Sequence, residues 1–131
     1  MRRVHLYLAA LAFAAFLGTG YHMRTLFTET WAGGDAQRFM HRSAHIYILF
    51  SALMNAMAGL LYRPFQGWRK AVQALTSIAL LVVPFLFVLA FFVEQPAEGR
   101  KRPYVLPAVA LCLVSVGALT TVHCLPNHSE S

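Results

Sequence analysis

The sequence predicts an all-α integral membrane protein, a four-helix up-down bundle, and three observations carry that expectation. The chain is 131 residues long, 58% hydrophobic and only 12% charged, outside the usual soluble range. Four apolar runs are each long enough to cross about 30 Å of hydrocarbon. The basic residues sit in short clusters between those runs, as loop charges of membrane proteins do.

The spans are expected at about 4–24, 36–62, 71–93 and 104–125, forming one domain over 1–131. The first follows Arg2-Arg3. Ala12-Phe13-Ala14 resembles a signal-peptide cleavage site, but the apolar run continues past it to an interfacial Tyr21, which favours a retained span. A polar connection holding Gly33-Gly34 follows, and Asp35 reads as the N-cap of the second helix. Arg63-Pro64 ends that helix, because the residue before proline is pushed out of the α region. The third span carries Pro84 in its middle and its polar residues, Gln73, Thr76 and Ser77, at its start. The fourth runs from Tyr104, and the segment after Leu125 is too short to fold alone.

The net charge of +6 would suit a nucleic-acid partner if it formed a stripe; divided among loops, it excludes that class. Four spans place Arg2, Arg3, Arg63, Arg69 and Lys70 on one side of the membrane. Arg24, Arg38, Arg42, Arg100, Lys101 and Arg102 fall on the other, a near balance. The acids Glu29, Asp35, Glu94 and Glu98 tip the termini toward the cytoplasmic side of a bacterial inner membrane. Glu94 and Glu98 read as loop residues, leaving no buried carboxylate for proton-driven transport. Cys112 and Cys124 are about 18 Å apart along one helix and cannot pair. No C-x-x-C, phosphate-binding glycine loop or G-x-S-x-G motif is present, so the usual supports for zinc-ribbon, nucleotide and serine-hydrolase chemistry are missing.

The second span is the most informative. His41 and His45 lie one turn apart on a face that continues through Ala52, Ala56 and Gly59, flanked by Ser51 and Asn55. Lipid satisfies none of these polar groups, so that face turns toward protein, water or a cofactor. By depth, His22, His41 and His45 gather near one membrane surface, and His5 and His123 near the other. Neutral imidazoles from different helices suit haem iron, with Gly18, Ala52, Ala56 and Gly59 leaving space for a flat macrocycle. His22 and His45 are the expected ligands, His41 the substitute, and His5 with His123 a second pair. The plainer alternative is that every one of these rings is interfacial, since each lies within a turn or two of a helix end.

Four spans with paired histidines resemble the small membrane cytochromes b, which hold haem between histidines of separate helices. The resemblance implies haem b as cofactor, electron transfer as activity and quinone as a redox partner; it covers the architecture and His5, His22, His45 and His123, with no sequence signature.

Two other classes compete. Tyr21-His22-Met23 and Met40-His41, with Met54 and Met57 deeper and His123-Cys124 near His128, offer soft ligands for copper, pointing to a copper or small-solute handling protein. Alternatively the Ser51, Asn55, Gly59 stripe docks a neighbouring helix, within the chain, in a homodimer or in a larger membrane complex of which this chain is an accessory subunit.

Overall fold

A computed structural model describes residues 1–26, 34–94 and 102–124. They form four helices, α1 (Arg2–Leu26), α2 (Asp35–Leu60), α3 (Trp68–Val93) and α4 (Val105–Cys124), with no strand among the described residues. All four are long and apolar enough to cross a membrane. Each helix overlaps one of the four apolar runs, with starts and ends that differ by a few residues. Gly34, not Asp35, is the N-cap of α2, and Asp35 sits in the first turn, where its charge favours the positive end of the helix dipole.

Packing follows chain order: α1 lies along α2, α2 along α3, and α3 along α4, with a lesser contact between α1 and α3. No comparable seam joins α1 to α4 among the described residues. The apolar core is therefore off-centre, built from Ile48 of α2, Leu80, Val83, Phe87 and Phe91 of α3, and Cys112 of α4. Tyr47 stacks on Phe87 at 5.3 Å between ring centroids, fixing the α2–α3 seam. Cys112 is a buried free thiol and Cys124 an exposed one.

The α1–α2 seam is tightly packed at Gly59. A Cβ placed on Gly59 would lie 2.8 Å from Cγ and Cδ2 of Leu6 and 3.2 Å from the Arg2 carbonyl oxygen. Glycine at this position lets the two backbones approach, the small-residue mode of membrane helix packing. Gly59→Ala is expected to cost about 1–3 kcal/mol, the usual range for overpacking a filled contact. Unfolding of the purified protein in detergent checks this, and adding Leu6→Ala should recover most of the loss.

The turn from α3 to α4 is held by a carboxylate. Glu94 is the C-cap of α3, its own N–H bonding to the Ala90 carbonyl at 3.0 Å. Its side chain is 2% exposed. Oε1 accepts the backbone N–H groups of Tyr104 at 2.9 Å and Val105 at 3.0 Å, and Oε2 accepts Nε of Arg102 at 3.1 Å. Arg102 then donates from Nη1 to the Ser43 hydroxyl at 3.0 Å, tying α2 into the same clasp. The expectation that no carboxylate is buried is corrected at Glu94, whose anion is enclosed because the start of α4 needs acceptors for its leading N–H groups; Glu98 lies outside the described residues.

Candidate functional site

The histidines expected to act together meet different neighbours. His5 is fully buried among its neighbours. Its Nδ1–H donates to Oδ1 of Asn55 at 2.8 Å, an assignment set by Asn55, whose Nδ2 donates to the carbonyls of Ser51 and Leu80 at 3.0 Å each. The bond to Leu80 has a covalent cause. Pro84 has no N–H, so the carbonyl four residues before it, that of Leu80, loses its helical donor. Asn55 supplies the replacement from the neighbouring helix, as broken membrane helices require. One side chain thus joins α1, α2 and α3.

His45 occupies the other half of the α1–α2 seam. Its ring stacks on Phe16 at 4.1 Å, and Nδ1 pairs with the Thr19 hydroxyl at 2.9 Å. Thr19 donates its proton to the carbonyls of Ala15 and Phe16, so the hydroxyl oxygen accepts from Nδ1–H of His45. The far edge of the ring lies over Gly20, where an added Cβ would be 3.1 Å from Cε1 and 3.6 Å from Nε2.

His22 and His41 come to one aromatic group instead. Their rings lie 6.1 Å and 5.1 Å from the centroid of Phe91, and His22 is 5.8 Å from Phe92. His41 donates from Nδ1 to the Gln37 carbonyl at 2.9 Å. The structure therefore sets His22 and His41 against the same Phe91 ring and turns His45 into the seam with α1.

The fit to haem can be judged from this arrangement. The face that was to border a macrocycle is filled by α1: Ala52 is 4% exposed and Gly59 is pressed against Leu6. Gly18 has nothing near it and faces outward. A porphyrin does not fit between His22 and His45 in this packing. Nor do three or more His, Cys, Asp or Glu side chains gather at metal-binding range among the described residues. The stripe of Ser51, Asn55 and Gly59 is spent inside the chain, against α1 and α3, and is not an outer surface for a second copy. His128 lies outside the described residues.

His123, the remaining candidate, borders an open pocket. A pocket of about 380 Å³ lies between α2, α3 and α4 at the end of the bundle where α2 and α4 finish and α3 begins. Each helix contributes one face at helical spacing: Met54, Met57, Ala58 and Leu61; Gln73, Ser77 and Leu80; Val116, Leu119, Thr120 and His123. Tyr62 completes the rim. No charged residue lines it.

The polar groups of the wall are mostly committed. Gln73 donates from Nε2 to the Arg63 carbonyl at 2.7 Å and accepts the Phe65 N–H at 3.4 Å, pinning the α2–α3 connection. Thr120 donates to the Val116 carbonyl at 2.8 Å. His123 donates from Nδ1 to the Leu119 carbonyl at 2.9 Å and meets the Phe65 ring edge-on at 4.8 Å. Ser77 is 2% exposed on the same wall.

The sequence names Met54 and Met57 only as soft ligands and His123 as a haem or copper ligand, and it places Gln73 and Ser77 at the start of the third span. Each of the three walls shows helical spacing in the chain, i, i+3, i+4, i+7 on α2 and α4 and i, i+4, i+7 on α3; which three faces meet is a tertiary fact. No family model, curated relative or solved structure matches this chain.

Proposed function

We propose that this protein is a small-solute handling membrane protein that binds a lipid-soluble molecule in the pocket between α2, α3 and α4. The observation that carries the reading is the pocket itself: about 380 Å³, lined by apolar side chains with a few polar groups and no charge. Ligand sites commonly span roughly 300–1,000 Å³ with that composition. An uncharged wall selects against ions and for a neutral guest, and its place at one end of apolar helices gives a guest entry from the bilayer. Quinone, the partner expected from the sequence, belongs to this class of molecule.

The test is extraction of the protein purified in detergent, followed by mass spectrometry of what it carries. Wild-type protein should hold a lipid-soluble molecule at close to one per chain. Thr120→Trp fills the pocket from an exposed position, and Ala58→Trp from the opposite wall; both should lose the molecule while keeping the helical signal. Retention in both variants would sink the proposal. The absorption spectrum of the same preparation tests the haem alternative: a Soret band lost in His45→Ala would replace this reading with an electron-transfer one.

A further inference from the structure

The pocket has a directional preference that follows from one hydrogen bond. A backbone carbonyl only accepts, so the contact from His123 Nδ1 to the Leu119 oxygen at 2.9 Å puts the ring proton on Nδ1. In the neutral imidazole Nε2 is then a lone pair, an acceptor with no proton to give. Among the neighbouring polar groups, the hydroxyls of Tyr62 and Ser77 can accept as well as donate, so they set no direction of their own. The Thr120 proton, the Gln73 carbonyl oxygen and one of the two Nε2 protons of Gln73 are already used within the protein. The same wall carries two thioethers, Met54 and Met57, one turn apart. Thioether sulfur packs favourably at the edge of aromatic rings.

We infer that the guest is a lipid-soluble phenol or hydroquinone, its hydroxyl donating to Nε2 of His123 and its ring lying along Met54 and Met57. This rests on the pocket reading above and adds the chemical class. A quinone, whose oxygens are carbonyls, presents acceptors to an acceptor and binds less well than its own hydroquinone. The two forms have nearly the same size and carbon skeleton, so the difference between them isolates the hydrogen bond from apolar burial.

The experiment uses the full chain in lipid nanodiscs, under anaerobic conditions, with decylubiquinol, decylubiquinone and decylbenzene as probes. Affinities are read from the quenching of intrinsic tryptophan fluorescence. Decylubiquinol should bind about tenfold more tightly than decylubiquinone, a ratio equal to about 1.4 kcal/mol. His123→Phe should bring the two within about twofold of each other while both still bind, and His123→Gln, which regains an acceptor, should restore part of the preference. Equal binding of the two forms to wild-type protein overturns the inference and leaves the pocket proposal standing. So does a preference that survives in His123→Phe. Absence of binding by all three probes overturns both.

Discussion

Glu94→Ala is expected to lower the stability of the bundle by about 3 kcal/mol, the low end of the range for breaking a buried ion pair by removing one partner. The loss is larger than that of a surface pair because the carboxylate has three dependants: Nε of Arg102 and the N–H groups of Tyr104 and Val105. Removing it leaves a guanidinium 20% exposed beside two amides without acceptors. Glu94→Gln keeps a carbonyl oxygen for the α4 amides and should cost about half as much, since it loses chiefly the charge-assisted bond. Denaturant or thermal unfolding in one detergent compares the three proteins. Equal stability of wild type and Glu94→Ala would show that the clasp contributes nothing.

The second large effect is expected at Asn55. Asn55→Leu removes the acceptor of His5 and the donor to Leu80, inside a seam where water does not reach. A polar contact between membrane helices is worth about 0.6 kcal/mol on average and at most about 1.7. Here two interhelical contacts fail together and leave buried partners unsatisfied, so the expected cost is about 2 kcal/mol. The role assigned to Pro84 supplies a sharper check. In Pro84→Ala the backbone N–H at position 84 can bond to the Leu80 carbonyl, and Asn55 is no longer its sole source of a proton. Asn55→Leu should then cost about 1 kcal/mol less than in the parent, a coupling readable from a double-mutant cycle. Identical costs in the two backgrounds would refute the link between Pro84 and Asn55.

The helices were legible in the sequence because span length and apolar content are local properties. A polar contact from Asn55 to a neighbouring helix was likewise legible, since an amide inside an apolar span has few other options. That Pro84 leaves the carbonyl at position 80 in need of a donor, and that Asn55 supplies it, emerged only from the structure. The histidines show where such reasoning stops. Sequence position gives the height of His22, His41 and His45, but the direction each ring takes depends on which helix lies beside it. Phe16, Thr19 and Gly20 draw His45 into the α1 seam, while Phe91 gathers His22 and His41. Glu94 was misplaced for a similar reason. Its acceptor role appears only when the α3–α4 turn closes and brings Tyr104 and Val105 back to it. The pocket was invisible because it belongs to no single helix.

The bond from Asn55 to Leu80 also bears on biogenesis. A third helix delivered alone into the bilayer would show the Leu80 carbonyl to lipid tails, and a second helix delivered alone would show its amide. Neither defect heals until the two meet. Insertion machinery therefore gains by releasing them as a pair, and a variant lacking Asn55 should linger beside that machinery longer than its final stability alone would explain.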